Sequence, residues 1–484
     1  MTQDQYTPEE PISSIATALA PAALGIVRVS GKNCIELVSN VFSRPKALLE
    51  APGNTLVYGW IQTPAKQAAV RELNKRRESE SNDCAENICE KNTVEKVDEV
   101  MLAVYRAPKS FTGEDMVEIF CHGGPAVVTA IQNLMLKNGF REANRGEYTF
   151  RAYINGKTDL TKAEAVKEII DSHTDVSRSH AAGRLAGSLF AEIDSIKKLI
   201  IDTLASIEVE IEYPEDEETI ADTFDRKDIE TAIERLQGLV DSWKGEKLYQ
   251  DGARVVLAGR TNAGKSSLFN AILKEERAIV SDIEGTTRDW LESWASIGGI
   301  PVRLFDTAGL RETEDVIEAQ GVQLTRNLTE DADVVLYLID SKTGVSEDDI
   351  EFLNNCKEPV IIVWNKADVC DISDDRFGSY PQAKISAKKG IGLKDLFDQV
   401  KKILTAGMTT ERQQAGLGSA RQKDSVAEAL ECVKHALVSA DDNYTLDAVV
   451  QDLEDAIDCL GEVTGDITPD DVLGSIFANF CVGK

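Results

Sequence analysis

Two parts of the chain repeat apolar residues every three or four positions, the spacing of one buried helix face. The first part begins near residue 185 and continues beyond the acidic run Glu215–Glu218, and the other follows residue 411. The apolar positions of the four helical segments are Leu185, Leu189, Ile193, Ile196, Ile200, Leu204, Ile207 and Ile211; Ile229, Ile233, Leu236 and Leu239; Val426, Leu430, Val433 and Leu437; and Leu446, Val449, Leu453, Ala456 and Leu460. The pattern predicts amphipathic helices on both sides of residues 251–411.

Short apolar runs replace the helical spacing elsewhere. Val255–Ala258, Val302–Phe305 and Val360–Trp364 each end in polar or turn residues, which is typical of buried parallel strands. Before residue 155, the runs at 24–31, 56–61 and 97–105 also predict strands, and 125–136 predicts a helix. The polar segment 63–96 has no periodicity and predicts a surface insertion.

These patterns predict a multidomain protein of α/β and α+β parts. We expect an α+β domain over 1–155, a helical domain over 156–250 and 412–484, and an α/β domain over 251–411 inserted into the helical one. Three domains suit 484 residues at about 150 residues each. Two separate helical bundles on either side of the α/β domain are the alternative.

Composition narrows the class of protein. A chain with 42% hydrophobic and 28% charged residues is typical of a globular protein, and no apolar run reaches the roughly 18 residues that span a bilayer. The acidic N-terminus lacks a secretion signal, so we expect a cytoplasmic protein without a membrane partner. Nine scattered cysteines predict free thiols. The net charge of −30 argues against wrapping nucleic acid with this chain alone, and leaves open a local basic patch, a basic partner or a role in solubility only.

One strand–helix junction carries phosphate chemistry. Arg254–Ser267 reads RVVLAGRTNAGKSS, in which a strand is followed by the G-x-x-x-x-G-K-S pattern of a phosphate-binding loop. Its glycines let backbone N–H groups surround phosphate oxygens, and the next helix presents its positive N-terminal end. In such a loop Lys265 reaches the β- and γ-phosphates, and the Ser266 hydroxyl binds Mg²⁺.

Four further motifs follow in the order typical of guanine nucleotide-binding domains. Gly285–Thr287 supplies a threonine hydroxyl to Mg²⁺, and Asp306–Gly309 supplies a carboxylate that holds Mg²⁺ through water. Asn365–Asp368 ends in a carboxylate that accepts from N1–H and the 2-amino group of guanine, two donors that adenine lacks. Ser386–Lys388 offers a backbone N–H to the guanine O6. The five motifs together predict GTP binding and hydrolysis.

The device that orients the attacking water is unusual. Leu310 follows Asp306–Gly309 where Ras-like switches carry a glutamine, and an apolar side chain cannot orient water. Asn262 could hold a monovalent cation against the phosphates, or only stabilise the turn. The acidic residues around Glu318 could position the water, or form a solvated helix face.

Several motifs outside and inside the α/β domain closely resemble the tRNA modification GTPase family MnmE (also called TrmE). The quoted stretches are LGIVRVSG at 24–31, FTGEDMVEI at 111–119, CHGG at 121–124, RGEYTFRAYINGKTDL at 145–160, GRTNAGKSS at 259–267, DTAGLR at 306–311 and the C-terminal CVGK. The resemblance covers nearly the whole chain. It implies an N-terminal domain that dimerises and binds tetrahydrofolate, a helical domain, and a Ras-like G domain inserted into that helical domain.

The resemblance also implies a set of site residues. GTP would be bound by Asn262, Ala263, Gly264, Lys265, Ser266, Ser267, Ser281, Asp282, Ile283, Glu284, Gly285, Thr286, Thr287, Asp306, Thr307, Ala308, Gly309, Asn365, Lys366, Ala367, Asp368, Ser386, Ala387 and Lys388. Mg²⁺ would lie on Ser266 and Thr287, and K⁺ on Asn262, Ser281, Ile283 and Thr286. The folate would contact Arg28, Glu118, Lys157 and Lys484, and the catalytic residues would be Glu318 and Cys481.

The implied function is a homodimeric, potassium-stimulated GTPase that works with an FAD-binding partner, MnmG (GidA). The two proteins would use a formyl- or methylene-tetrahydrofolate one-carbon unit to place carboxymethylaminomethyl or aminomethyl groups on C5 of the wobble uridine of certain tRNAs. Much of the tRNA would then rest on the partner, in agreement with the acidic chain. A ribosome-assembly switch resembling Era and Der competes with this, although the acidic flanks lack their basic RNA-binding domain. A scaffold with an inactive folate pocket is a third interpretation, against which Cys481 and Lys484 argue.

Three features depart from the family pattern. The segment 65–96 is longer than the usual connection, Ser281 stands where threonine is common, and Thr261 stands where proline usually precedes the asparagine. We expect little change from Ser281 if its contact is made through the backbone, and a slight loosening of the phosphate loop from Thr261.

Overall fold

A computed structural model of the chain describes residues 10–63, 95–212, 226–275, 292–306, 331–370, 375–406, 415–441 and 446–484. The chain forms two compact units, Met1–Ala163 with Gly465–Lys484, and Glu164–Thr464. The predicted insertion at 63–96 lies almost wholly outside the described residues. Among the helices that are described, none combines the length and the apolar character needed to cross a membrane.

The described residues contain twelve strands and fourteen α-helices. In chain order they are β1 (Ile12–Ile15), β2 (Ala22–Ser30), α1 (Cys34–Ser39), α2 (Pro45–Leu49), β3 (Thr55–Gln62), β4 (Lys96–Tyr105), β5 (Met116–Gly123), α3 (Pro125–Lys137), β6 (Arg141–Glu142), α4 (Glu147–Ile154), α5 (Leu160–Asp171), α6 (Asp175–Leu185), α7 (Ser188–Glu212), α8 (Arg226–Asp251), β7 (Ala253–Gly259), α9 (Lys265–Glu275), β8 (Glu292–Ile297), β9 (Ile300–Asp306), β10 (Val334–Asp340), α10 (Glu347–Asn355), β11 (Val360–Asn365), β12 (Gln382–Lys384), α11 (Leu393–Leu404), α12 (Ala420–Asp441), α13 (Leu446–Thr464) and α14 (Asp470–Ala478).

The first unit is built on one sheet with the strand order β3-β4-β5-β2-β1-β6, antiparallel except between β1 and β6. Side chains alternate across its strands, so that Val57 and Ile61 enter the core beneath α1, α2 and α3. Leu56 and Tyr58 point the other way and are 61% and 53% exposed. Met101, the cross-strand partner of Tyr58, is 45% exposed. Among the described residues, this part of the sheet surface therefore presents three large exposed side chains.

The end of the chain packs within this same unit. The Phe477 ring lies 5.3 Å from Phe150 and 5.4 Å from Phe480, measured between ring centroids. Gly146 precedes α4 with a φ of +68°, and a Cβ there would lie 2.6 Å from the Phe477 carbonyl oxygen. Only glycine fits such a conformation and such an approach. Aromatic packing thus seats α14 on α4.

The second unit contains a helical core to which both helical parts of the chain contribute. Helices α7, α8, α12 and α13 share one cluster of buried residues, for example Ile196, Leu236, Val433 and Leu453. Apart from Leu185, the predicted apolar positions whose side chains are described are confirmed here, and the alternative of two separate bundles is wrong. The exact limits of the three domains stay a prediction.

The predicted start of the long helix at Leu185 is wrong. Helix α6 ends at Leu185, Gly187 takes a φ of +98°, and α7 begins only at Ser188. Leu185 is 38% exposed and does not belong to the buried face. A glycine in the left-handed region is the common end of a helix, and this signal outweighs the apolar spacing.

The α/β part of the second unit has the strand order β12-β11-β10-β7-β9-β8, parallel except for the β8–β9 hairpin. Strand β7 is buried on both faces, with Val255 and Leu257 in one core and Val256 and Ala258 in the other. This double burial explains the continuous apolar runs that predicted β7, β9 and β11. The chain passes from β7 first to β9 and later to β10 on its other side, so the carboxyl end of β7 is a topological switch point where such sheets bind ligands.

Candidate functional site

The loop between β7 and α9 is held in a conformation that needs its glycines. Gly259 has a φ of +132°, and a Cβ there would lie 2.4 Å from the Leu338 carbonyl oxygen. Gly264 has a φ of +98°, and its Cβ would lie 2.1 Å from Asn365 Nδ2. Asn262 also lies in the left-handed region, with a φ of +64°. The loop therefore turns tightly, with no side chain at the two closest approaches.

Lys265, the first residue of α9, folds back across this loop. Its ammonium donates to the carbonyl oxygens of Gly259 at 2.8 Å and of Arg260 at 2.9 Å, and the residue is 7% exposed. A charge held at the centre of the loop meets anionic phosphate oxygens without a large rearrangement of the backbone.

Two oxygen donors meet next to the loop. The Ser266 hydroxyl donates to the Asp306 carboxylate at 3.0 Å, because α9 begins and β9 ends at the same edge of the sheet. Hydroxyl and carboxylate oxygens are the ligands that Mg²⁺ prefers. The pair therefore fits the predicted magnesium site.

Asn365 ties the phosphate loop to the region predicted to bind the base. It is 2% exposed, and its amide nitrogen donates to the Ala263 carbonyl oxygen at 2.8 Å. Its side-chain oxygen accepts from the backbone N–H groups of Lys366 at 2.9 Å and Ala387 at 3.1 Å. One buried side chain thus fixes three segments relative to one another.

Ion pairs complete this edge of the sheet. Lys366 donates to Asp340 at 2.6 Å and to the Asn262 carbonyl oxygen at 3.1 Å. Burial opposes ionisation of Asp340, but the hydrogen bond from Lys366, the backbone N–H of Lys342 and the charges of both lysines together outweigh it, and the pKa of Asp340 is lowered. Lys389 lies 3.0 Å from Asp368, and hydrogen bonds from Lys389 and then Ser386 lower the pKa of Asp368. Asp368 is therefore kept as an ionised acceptor.

The structure brings together the predicted positions 262–267, Asp306, 365–368 and 386–388. The predicted residues Ser281–Thr287, Thr307–Gly309 and Glu318 lie outside the described residues, as does Leu310. Asp340 was not predicted to belong to the site. An acidic residue at the end of an apolar run was the only signal for it.

Three of the four predicted folate residues, Arg28, Glu118 and Lys484, lie close together in the first unit. Arg28 forms an ion pair with Glu118, with Nε and Nη2 lying 2.9 and 2.7 Å from Oε1. This follows from the register, because Arg28 on β2 is directly opposite Glu118 on β5. Arg28 Nη1 also donates to the Gly483 carbonyl oxygen at 2.9 Å. The C-terminal residues therefore reach the same place as the strand pair.

Cys481 and Lys484 lie in a turn at the end of the chain. The backbone N–H of Lys484 donates to the Cys481 carbonyl oxygen at 3.4 Å, and that oxygen also accepts from Gly146 N–H at 3.5 Å. The Cys481 thiol is a free, exposed cysteine. Burial and then the charge of Arg28 lower the pKa of Lys484.

Two aromatic rings lie near the Arg28 pair, and Lys157 contacts a different loop. Lys157 donates to the Pro108 carbonyl oxygen at 3.0 Å, so it contacts the 108–113 loop and no contact joins it to Arg28. The rings of Phe111 and Tyr148 lie 5.8 and 5.6 Å from the Arg28 guanidinium carbon. Neither aromatic residue was predicted, although both lie inside motifs quoted above.

Comparison with known proteins gives matches over the whole chain. The family model for the GTP-binding protein TrmE N-terminus matches residues 11–157, and the MnmE helical domain model matches residues 160–481. A tRNA modification GTPase MnmE of Treponema denticola is 48% identical, with 99% of each chain covered. The protein of that name from Treponema pallidum is 39% identical, with 100% of both chains covered.

Solved structures match a smaller part. A crystal structure of Aquifex aeolicus Era is 27% identical, covers 37% of this chain and 66% of that chain, and has a TM-score of 0.26. That overlap is too small to add to the fold described above.

Proposed function

The chain belongs to the MnmE family of tRNA modification GTPases, and from this premise we propose that it hydrolyses GTP in the modification of tRNA. The observation that carries the proposal is the meeting of three predicted motifs at one sheet edge. Lys265 spans the phosphate loop, Ser266 bonds Asp306, and Asn365 joins that loop to the base-binding segment. Preorganised charges of this kind are what phosphoryl transfer requires.

Specificity for guanine rests on Asp368. Its ionised carboxylate accepts from the two donors of guanine, and an Asp368→Asn variant would present a donor in place of one acceptor. We expect this variant to lose GDP affinity and to gain affinity for xanthosine diphosphate, which has a carbonyl where guanine has an amino group. Calorimetric titration with both nucleotides tests this. Unchanged GDP binding would remove Asp368 from the site.

Mg²⁺ and K⁺ assist the chemistry under the same proposal. Ser266, with Thr287, holds Mg²⁺, which supplies positive charge to the phosphates. Asn262, with Ser281, Ile283 and Thr286, holds K⁺, and Glu318 positions the water. The hydrogen bond from Lys366 to the Asn262 carbonyl oxygen fixes the backbone of Asn262. This supports a defined position for the Asn262 side-chain amide.

A comparison of cations tests the potassium role. GTP hydrolysis should be faster in K⁺ than in Na⁺, and Asn262→Ala should lose that difference. Thr261→Ala is the control, because it alters the neighbouring loop residue without removing an amide oxygen. Equal rates in both salts for the unaltered protein would contradict the role of Asn262.

The proposed folate site uses cationic side chains of the first unit. Lys484 and Arg28 have the chemistry that recognises glutamate carboxylates, and the exposed Cys481 thiol is available to a substrate. Bound folate would supply a one-carbon unit. Cys481→Ser should keep folate binding and lose tRNA modification, and full modification by this variant would exclude a catalytic thiol.

The tRNA reaction is proposed to need MnmG (GidA), which carries FAD and much of the tRNA contact. The product is a carboxymethylaminomethyl- or aminomethyl-type group on C5 of the wobble uridine. Mass spectrometry of tRNA from a strain lacking this gene should show loss of that group, restored by the intact gene. An unchanged tRNA spectrum together with defective ribosomal particles would favour the ribosome-assembly interpretation instead.

Homodimer formation is proposed through three exposed side chains on β3 and β4 of the first unit. Leu56, Tyr58 and Met101 are 61%, 53% and 45% exposed, which is unusual for three apolar neighbours on one face. Met101→Glu should convert a dimer to a monomer in light scattering. Val438→Glu is the control, because Val438 is 55% exposed on α12 in the second unit. A monomeric unaltered protein would contradict the proposal.

A further inference from the structure

Arg28 is the predicted folate ligand whose bonds are most fully described. Two of its nitrogens bind the Glu118 carboxylate, and a third donates to the Gly483 carbonyl oxygen at 2.9 Å. The side chains of Arg28 and Glu118 are each only 15% exposed. The directional N–H groups of this guanidinium are therefore largely committed inside the protein.

The surroundings of Arg28 fix it from the other sides. Its guanidinium carbon lies 5.8 Å from the ring centroid of Phe111 and 5.6 Å from that of Tyr148. The Tyr148 hydroxyl donates to the Arg28 carbonyl oxygen at 2.8 Å. A side chain held by a carboxylate, two rings and its own backbone is preorganised for its remaining partner, the Gly483 carbonyl.

The C-terminal residues are shaped to receive this bond. Gly483 has a φ of +94°, and a Cβ there would lie 2.8 Å from the Ile15 carbonyl oxygen. The Lys484 N–H and the Gly146 N–H both bond the Cys481 carbonyl oxygen. Phe480 is 3% exposed and anchors the segment from the other end. The last four residues are thus a closed turn with two attachments, at Gly146 and at Arg28.

We propose that Arg28 is a positioning residue that holds the C-terminal turn, and through it places Cys481 and Lys484 in the site. The functional consequence rests on the folate and thiol roles proposed above. The positioning itself does not, since the contacts join residues of this chain alone.

Hydrogen exchange of the ligand-free full-length protein tests the positioning. Arg28→Met should increase exchange in peptides covering 477–484 by roughly tenfold or more, because a bond from a charged donor to a carbonyl is lost. Carboxypeptidase should also remove Lys484 faster from this variant than from the unaltered protein. Arg28→Lys keeps the charge but not the fork, and should give most of the same increase.

Arg106→Met is the matched control. Arg106 also clamps backbone carbonyls in the first unit, those of Ala51 at 3.0 Å and Leu49 at 2.8 Å, but none in the C-terminal turn. Its loss should leave exchange at 477–484 unchanged. Equal exchange there in Arg28→Met and the unaltered protein, with the fold intact by circular dichroism, would overturn the proposal.

A kinetic measurement separates this proposal from a purely ligand-binding role. If Arg28 positions the turn, Arg28→Lys should lower kcat for tRNA modification more than it weakens folate affinity. A large loss of folate affinity with unchanged exchange at 477–484 would refute positioning and keep the folate proposal. If Arg28→Met speeds exchange at 477–484 but the unaltered protein binds no folate, the positioning role stands and the folate proposal is refuted.

Discussion

Replacing Asn365 by alanine gives the sharpest test of how the nucleotide site is held together. The change deletes a bond to Ala263 at 2.8 Å and two bonds from the N–H groups of Lys366 and Ala387, at 2.9 and 3.1 Å. At about 1 kcal/mol for each bond, the loss is about 3 kcal/mol. Expressed fully in binding, this is roughly a 150-fold weaker GDP affinity, and relaxation of the loops reduces it toward roughly tenfold.

The assay is titration of a fluorescent GDP analogue, with urea unfolding measured on the same samples. Gln382→Ala is the control, because Gln382 accepts at 2.8 Å from the indole of Trp364, the residue before Asn365, and none of its hydrogen bonds within the described residues reaches a loop of the site. Gln382→Ala should lower the free energy of unfolding and leave GDP affinity unchanged. If Asn365→Ala binds GDP as tightly as Gln382→Ala, the three bonds do not organise the site and the reasoning fails.

Two further predictions concern packing and charge. Gly252→Ala should lower the free energy of unfolding by about 2–4 kcal/mol, because φ is +70° and the new Cβ would lie 2.5 Å from the Trp294 ring. Gly344→Ala, at +66° with nothing within 4 Å, should lower it by only about 1 kcal/mol, and equal losses in urea unfolding would contradict the crowding. The hydrogen bond to Asp98 at 2.8 Å raises the pKa of His122 above its ordinary value of 6.5. The folding stability that this pair contributes is therefore complete below pH 6.5 and is lost as pH rises through the raised pKa. NMR titration should find that pKa above 6.5 and find it lowered in Asp98→Asn, and a pKa indifferent to Asp98 would refute the pairing.

The described motifs of the candidate nucleotide site could be located from the sequence because their chemistry is local. The described motifs each follow a strand, and parallel strands bring their carboxyl ends to one edge. The meeting of Ser266 with Asp306 follows from that rule alone. The same rule says nothing of Asp340, whose role depends on the lysine that happens to reach it.

The site in the first unit could be predicted only in part. Arg28 and Gly483 are 455 positions apart, and no spacing or periodicity links residues so distant. The resemblance identified both segments but not the bond between them, nor the rings of Phe111 and Tyr148. The break at Gly187 was missed for the opposite reason, since a local glycine signal was outweighed by a long apolar pattern.

A buried charge cluster in the second unit shows how far such long-range contacts can reach. Arg184 lies 2.6 Å from Glu168 and 2.9 Å from Glu246, and it also donates to the Gly416 carbonyl oxygen at 3.3 Å. Glu246 lies on α8 just before the chain enters the α/β part, and Gly416 lies where it returns, so one guanidinium contacts both crossings. Removing one partner from such a cluster leaves buried charge uncompensated, at a cost of about 3–5 kcal/mol. Burial raises the pKa of Glu168 from 4.5 to about 7, so the folded protein keeps a proton there that the unfolded chain releases. The stability contributed by this proton is therefore full below pH 4.5 and decreases between pH 4.5 and about 7, so the free energy of unfolding depends on Glu168 over that range.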